Sequence, residues 1–290
     1  MTFMGTQFSR LNAKIPAGTQ PLSDEQLYSA APSIFATTAH ESRSERFSVI
    51  PTFGIVQAMR AEGFAPFLAK QGRSRIEGKE NFTKHLIRFR RPDTAPALNE
   101  TFSEVILVNA NDGTSAYKLY SGLFRLVCLN GMVTSVGEGS SVRVGHSGDV
   151  RNRVIEGSYE VLKGSERSAD AAREWQGVQL PHHAQLALAE ASLAVRFGEP
   201  DGTIRTAVRP EQLLQARRQQ DLDNDLWTTF NRIQENAMQG GLQTVTRDPV
   251  TQQQRRSTTR PVANVSGDVK LNRALWTLGQ RMAEMMGRAA

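Results

Sequence analysis

The sequence predicts an α+β fold in which a mainly antiparallel sheet with a central hairpin is covered by helices. The clearest hairpin lies within residues 102–133, where stretches of β-forming residues flank the turn signal Asn111-Asp112-Gly113. Its apolar runs, Val105–Val108 and Leu123–Leu129, are nearly continuous, which is typical of strands buried on both faces. Helices must therefore cover the sheet. We expect the sheet to come from residues 64–126 and the helices from residues 151–197, 211–239 and 269–287.

The N-terminal segment, residues 1–45, is polar and irregular, and we expect a flexible arm that contains one short helix. Ser23 and Gln26 stand at the spacing of a capping box, which marks the start of that helix. The apolar patch Ala30–Ala36 could pack on the body of the protein, because it would otherwise be exposed.

The segment after residue 50 begins with a short helix, expected from Phe53 to Gly63, because apolar residues recur there at helical spacing. Two strands follow, over Phe64–Arg75 and Thr83–Arg91. After the central hairpin, the glycine- and serine-rich stretch 132–149 contains a short strand over Val142–Val144.

Helix dominates from Arg151 to Phe197, and we expect it to be divided at Gly157, Gly164 and residues 177–181. A long helix with an apolar stripe runs from Leu222 to Met238. Residues 243–268 lack apolar periodicity and contain four arginines, which predicts a mobile basic loop before a last helix. The residues expected in the helical core are Trp227, Phe230, Ile233, Leu275 and Trp276. The chain would then have three parts: the arm at 1–45, an α+β core domain at 46–200 and a helical C-terminal region at 201–290 packed on it.

The composition limits the kind of protein. Thirty-five lysines and arginines oppose 29 aspartates and glutamates, and the net charge of +6 favours anionic partners. The single cysteine, Cys128, excludes an internal disulfide and a multi-thiolate metal site, and its apolar surroundings are typical of a buried thiol. No stretch approaches the ~18 apolar residues that a membrane span needs. We expect a cytoplasmic protein with no membrane partner, no cofactor and no metal.

One predicted strand is strongly basic. Lys84, Arg88 and Arg90 recur at a period of two, which places the three cations on one face, and only Glu77 and Glu80 lie nearby in the sequence to neutralise them. We therefore predict a nucleic-acid-binding surface that comprises Lys70, Arg73, Arg75, Lys84, Arg88, Arg90 and Arg143. The alternative is an edge hairpin that charge protects against aggregation.

The candidate for a catalytic residue is His146, in the glycine-rich stretch. That stretch has neither the spacing of a phosphate loop nor a dinucleotide fingerprint. If the protein is a hydrolase or a nuclease, His146 would work with an acid such as Asp149 or Glu138. The alternative is a histidine on a surface turn.

Six fragments in order carry a family resemblance: APSIFATTAHESRSERFSVIPT, KHLIRFR, VCLNGMV, VRVGHSG, DLWTTFNRIQEN with the QGG that follows, and KLNRALWTL. Together they resemble a family of bacterial, plasmid-borne and prophage-borne proteins that is catalogued as a domain of unknown function and often labelled a phage or plasmid-like protein. The resemblance implies a mobile-element setting and supplies no catalytic residues. In topology and charge alone, the chain also looks like the single-strand annealing proteins, whose rings lay single-stranded DNA along a basic groove.

Three functions follow as alternatives. The first is a nucleic-acid-binding protein, which would bind or anneal single-stranded DNA in recombination or replication of a mobile element and could form a homo-oligomer. Phe89 or Tyr120 would stack on bases if exposed. The second is a hydrolase or nuclease centred on His146. The third is a scaffold or inhibitor that binds host defence proteins through the apolar helix Leu222–Met238.

Overall fold

A computed structural model of the chain describes residues 18–37, 51–72, 74, 80–98, 100–111, 115–126, 129–134, 140–145, 148–199, 207–247 and 253–288. The chain divides into two compact units, Met1–Gly131 with Gly137–Glu166, and Met132–Val136 with Arg167–Ala290. This division replaces the boundary that the sequence suggested near residue 200. Helical residues after 166 belong to the second unit, because their apolar side chains contribute to its core.

The first unit is built on a six-stranded sheet. The strands of this sheet are β1 (Ala65–Gln71), β2 (His85–Arg90), β3 (Thr101–Ala110), β4 (Ser115–Arg125), β5 (Asn130–Val133) and β6 (Ser141–Val144), and the last two residues of β5 are assigned to the second unit. The order is β1-β2-β3-β4-β5, and β6 also pairs with β4. The pairs β1–β2, β2–β3, β3–β4 and β4–β6 are antiparallel. The predicted α+β class with a mainly antiparallel sheet is confirmed.

The central hairpin formed by β3 and β4 is confirmed as well. The two strands pair from Thr101 opposite Arg125 to Ala110 opposite Ser115. The predicted turn lies mostly outside the described residues, which resume at Ser115 after Asn111. Both faces of β3 are buried, since Val105, Ile106, Leu107 and Val108 are at most 4% exposed.

Three helices contribute to the first unit: α1 (Asp24–Ala30), α2 (Thr52–Ala61) and the N-terminal part of α3 (Val150–Gln176). Their apolar side chains form one core with one face of the sheet. The helix α3 is not divided at Gly157, contrary to our expectation. A Cβ at Gly157 would lie 2.8 Å from Leu119 and 3.0 Å from Val142, so this glycine allows the helix to approach the sheet closely.

The N-terminal segment is not a flexible arm where the structure describes it. The capping box is present, because the Ser23 side chain accepts from the Gln26 backbone and the Gln26 side chain accepts from the Ser23 backbone. Leu27 and Ile34, however, are fully buried in the core of the first unit. Residues 18–37 are therefore an integral part of the fold, as the patch Ala30–Ala36 suggested; the rest of the predicted arm lies outside the described residues.

The second unit contains the C-terminal end of α3 and four further helices: α4 (His182–Phe197), α5 (Pro210–Leu213), α6 (Leu226–Gln239) and α7 (Val265–Arg288). Aromatic rings form its core. Trp175 packs against Trp276 and Phe230, with ring centroids 4.7 and 5.4 Å apart. The predicted core residues Trp227, Phe230, Ile233, Leu275 and Trp276 are all at most 3% exposed, which confirms that prediction.

The buried helix α6 begins later than the apolar pattern suggested. Asp225 caps it by accepting from the Thr228 backbone at 2.9 Å, and the predicted first residue, Leu222, is 58% exposed. Every residue from Leu226 to Ala237 is buried, so this helix is a core element and does not offer the exposed face that a protein partner would need.

Residues 243–268 are more regular than predicted. The described residues of this segment form an antiparallel pair of strands, β7 (Gln243–Arg247) and β8 (Gln254–Thr258), and the start of α7. The prediction of an irregular loop is therefore wrong for this ribbon. None of the described helices combines the length and the apolar character that crossing a bilayer requires.

Candidate nucleic-acid interface

The register of β2 places Arg88 and Arg90 on one face of the sheet, as the sequence predicts, but neither side chain is on the surface. They are 3% and 5% exposed. The reason is Glu104 on β3, which the same register brings next to both arginines, because Phe89 pairs with Val105 and Arg88 with Ile106. The expectation that these cations form an exposed basic face is thus wrong.

Glu104 is 1% exposed and neutralises both guanidinium groups. Its Oε2 accepts from Arg88 NH1 at 2.7 Å, and its Oε1 lies 3.2 Å from Arg90 Nε. Its backbone carbonyl accepts from the Ser165 hydroxyl of α3 at 2.9 Å. Both buried cations contact this carboxylate, which makes the group an element of stability rather than a phosphate-binding site.

Aromatic rings enclose the Arg90 guanidinium. Its Cζ lies 3.9 Å from the ring centre of Phe67 and 4.3 Å from that of Phe124. Arg90 NH2 also donates to the Gly18 carbonyl. Burial lowers the pKa of Arg90, while Glu104 opposes that shift. A guanidinium held between rings, a carboxylate and a carbonyl cannot turn outward to a phosphate without losing all of them.

The other predicted cations have different surroundings. Lys70 on β1 and Lys84 just before β2 are half-buried, and each has an interaction partner. Arg143 on β6 is exposed. Arg73 and Arg75 lie outside the described residues, so the structure does not test them.

Lys118 on β4 is a surface cation that sequence reasoning missed. It pairs directly with Arg143 across the β4–β6 ladder, and residues directly opposite in an antiparallel pair project from the same face. Lys118 is half-buried, and within the described ranges neither side chain has an ion-pair or hydrogen-bond partner. We name Lys118 and Arg143 the cross-strand cation pair.

The residues that pair in register with Lys118 and Arg143 form a row across the sheet, which continues to the edge strand β1. Val108 pairs with Lys118, Leu86 with Val108, and Lys70 with Leu86. Leu86 and Val108 are 0% and 4% exposed, so the cations flank an apolar, buried centre. The predicted stacking platforms are not available on the surface, because Phe89 is fully buried and Tyr120 is 9% exposed.

His146 and Glu138 lie outside the described residues, so the hydrolase hypothesis is untested there. The acid suggested as its partner, Asp149, has a structural role at the start of α3. Its carboxylate accepts from the backbone and the side-chain amide of Asn152, at 3.2 and 2.5 Å. This is the arrangement of a helix cap.

The histidine that the structure does describe in a polar network is His85, which sequence reasoning did not single out. Its Nδ1 lies 2.9 Å from the Ser33 hydroxyl and its Nε2 lies 3.0 Å from the Thr52 hydroxyl, which also accepts from Asn109 at 3.0 Å. All four residues are fully buried, and burial lowers the pKa of His85 to about 4. A serine–histidine contact without solvent access cannot reach a substrate, so the network ties α2 and the N-terminal segment to the sheet.

Comparison with known proteins gives a family match and two close relatives. The family described as a domain of unknown function, DUF932, matches residues 39–276. UPF0380 protein YafZ of Escherichia coli K12 is 43% identical over 282 residues, which cover 97% of this chain and 98% of the relative. UPF0380 protein YfjQ of the same organism is 42% identical with the same coverage. No solved structure matches the chain.

Proposed function

The chain belongs to the DUF932 family, which is described as a domain of unknown function, and from its surface chemistry we propose that it binds single-stranded nucleic acid through the sheet of the first unit. The cross-strand cation pair is the observation that carries the proposal. Like charges directly opposite on neighbouring strands destabilise a sheet. Lys118 and Arg143 have this arrangement without a described anion beside them.

A phosphate is the anion that this arrangement suits. The Cβ atoms of directly opposite residues in an antiparallel pair lie about 4.5–5.5 Å apart, so two long cationic side chains can converge on one phosphate group or on two neighbours. An arginine can donate two parallel hydrogen bonds to a phosphate, and a lysine adds a point charge. Binding would therefore relieve a repulsion that the free protein carries.

Lys70 and Lys84 would contribute further phosphate contacts at the far edge of the same face. Four inter-strand steps of about 4.8 Å separate Lys70 from Arg143, which gives a span of roughly 19 Å. Because Leu86 and Val108 between the two groups of cations are buried, we expect the cross-strand cation pair to make the main contact and the lysines at the far edge to make secondary ones.

The biological setting is a further part of the proposal. The resemblance to plasmid-borne and prophage-borne proteins supports a role in recombination or replication of a mobile element. Annealing is the activity to assay there: the protein should speed the pairing of complementary single strands. If an oligomer performs this step, its mass in solution should rise when a single-stranded oligonucleotide is added.

The decisive experiment is a salt titration of single-stranded DNA binding, followed by fluorescence anisotropy, for the wild type and the Lys118→Gln/Arg143→Gln variant. Binding to single strands weakens with salt at a slope of about −0.7 per phosphate contact, so losing two contacts should flatten the slope by about 1.4. The matched control, Arg151→Gln/Lys163→Gln, removes two exposed cations from α3, which packs on the opposite face of the sheet, and should keep the wild-type slope.

Thermal stability distinguishes a binding site from a folding defect. Relief of the like-charge contact should leave the melting temperature of Lys118→Gln/Arg143→Gln unchanged or slightly higher. Equal salt slopes in this variant and in the wild type would refute the proposed interface, as would a wild type that does not bind single strands at low salt.

A further inference from the structure

The β7–β8 ribbon of the second unit presents a polar, cationic face to solvent. Its register pairs Gln243 with Thr258 and Val245 with Arg256, so these four side chains project from the same face. All four are exposed, and Val245 is exposed to 51% although it is apolar. This face therefore offers one apolar, one cationic and two uncharged polar side chains to a partner.

The other face of the ribbon is buried at Thr244. Thr244 is 9% exposed, and its hydroxyl lies 2.6 Å from that of Ser257 across the strands. We call this the inner face because Thr244 is buried, although Ser257 on it is exposed, and we call the face with Gln243, Val245, Arg256 and Thr258 the outer face.

The base of the ribbon is fixed to the end of α6. The Gly241 backbone donates to the Thr259 carbonyl at 2.9 Å, and Thr259 donates back to the Leu242 carbonyl at 2.9 Å. Arg217 donates to the Gly240 carbonyl at 2.7 Å and to the Asn236 side chain of α6 at 2.8 Å. The outer face is thus presented from a fixed base, which reduces the ordering entropy that binding would cost.

Charge selects an anionic occupant. Arg256 has no ion-pair partner among the residues that the structure describes, and the two strands also contain Arg247 and Arg255. No acidic residue occurs in either strand. A membrane surface would need a larger apolar contribution than one valine, whereas the remaining outer side chains are hydrogen-bonding groups.

We propose that the outer face of the β7–β8 ribbon enters the major groove of a DNA duplex. The major groove is about 12 Å wide and admits a two-stranded ribbon, whose strands are about 4.8 Å apart. The exposed side chains are of the types that contact base edges there: arginine with guanine, glutamine with adenine, and apolar groups with the thymine methyl. Arg256, Gln243 and Val245 supply one of each.

This inference concerns a different surface and a different form of nucleic acid from the proposed single-strand site, so each can fail without the other. The probes are a mixed-sequence DNA duplex, an RNA duplex of the same sequence and a DNA single strand, each labelled with fluorescein. The full chain is titrated against each probe by anisotropy at one fixed salt concentration. The variants are Arg256→Gln and, separately, Val245→Asn.

The wild type should prefer the DNA duplex to the RNA duplex, because the major groove of A-form RNA is deep and too narrow for side chains to read. Arg256→Gln should weaken DNA-duplex binding about tenfold, as expected for the loss of one good base contact. Val245→Asn should weaken it by a smaller factor. Both should leave single-strand binding and the melting temperature unchanged, since both positions are exposed.

The matched control is Arg281→Gln, which removes an exposed arginine of α7 in the same unit and should bind the duplex like the wild type. Three results would overturn the proposal: no duplex binding by the wild type, equal affinity for the DNA and RNA duplexes, or equal duplex affinities of Arg256→Gln and Arg281→Gln. A fourth is self-association that Val245→Asn abolishes, because the ribbon face would then contact a second copy of the chain.

Discussion

Replacing Glu104 by glutamine should be among the most destabilising single changes in the first unit. The carboxylate is 1% exposed and contacts Arg88 and Arg90, which are 3% and 5% exposed. Breaking a buried pair by removing one partner costs about 3–5 kcal/mol, because the remaining charge is left buried without compensation. Here two cations lose the contact with this carboxylate, so we expect a loss near the upper end, about 5 kcal/mol. That is comparable to the whole stability of many domains.

Urea unfolding followed by circular dichroism measures this loss as a shift of the midpoint. The control is Glu100→Gln, the same chemical change at an exposed position just before β3, which should alter stability by less than about 0.5 kcal/mol. The background Arg88→Met provides a second comparison. With one cation already removed, Glu104→Gln should cost less by about 1–3 kcal/mol, because the two sites interact.

A loss below about 1 kcal/mol for Glu104→Gln would refute the reasoning. It would mean that groups other than this carboxylate compensate the two buried guanidinium groups. If the stability losses of Glu104→Gln and Arg88→Met were fully additive, the two residues would not interact, which would contradict the ion pair between them.

Three further predictions concern other parts of the chain. The pKa of His85 is about 4 in the folded protein, against 6.5 for an ordinary histidine. Between these two values the unfolded chain binds more protons than the folded protein does. The free energy of unfolding should therefore fall by roughly 3 kcal/mol as the pH drops from 6.5 to 4. Urea midpoints across this range measure the loss, and His85→Gln should make the profile flatter. Gly240→Ala should lower the melting temperature, because Gly240 has φ 64° and a Cβ there would lie 2.7 Å from the Thr259 carbonyl oxygen. Gly63→Ala should lower it less, because Gly63 has φ 81° but open space around it. Trp227→Ala should cost about 3–5 kcal/mol in the same urea assay, and an unchanged midpoint would contradict its place in the aromatic core.

Local patterns were sufficient for much of the fold. The capping box at Ser23 involves residues three apart, and the β3–β4 hairpin joins neighbouring strands, so both are visible in a short window of sequence. The apolar stripes that contain Trp227 on α6 and Trp276 on α7 likewise depend on helical spacing alone. Elements of this kind require no knowledge of distant contacts.

The candidate site depended on contacts that no short window contains. Arg88 is neutralised by Glu104, sixteen positions away on the next strand, and only the strand register brings the two together. Arg143 lies opposite Lys118, because β6 pairs with β4. The acidic residues close to β2 in the sequence do not include Glu104, so the prediction overestimated the exposed positive charge of that strand. It also missed Lys118, because only the pairing of β4 with β6 brings Lys118 beside Arg143.

The β7–β8 ribbon was missed for another reason. Its outer face is polar and its inner face carries threonine and serine, so the alternation of apolar and polar residues that marks a strand is weak. Its regularity comes from cross-strand hydrogen bonds and from the glycines that attach it to α6. The lack of apolar periodicity in residues 243–268 therefore predicted an irregular loop there.

The position of Gly131 limits how this protein can be redesigned. A Cβ at Gly131 would overlap the Arg88 guanidinium, so the space that the arginine occupies is set jointly by a glycine on β5 and a carboxylate on β3. An engineer who lowers the isoelectric point by replacing arginines chosen from the sequence would select Arg88 and Arg90 first. Those replacements would disrupt a buried ion-pair group and lower the stability of the fold, whereas replacing Lys118 and Arg143 should preserve stability and affect only the proposed binding surface.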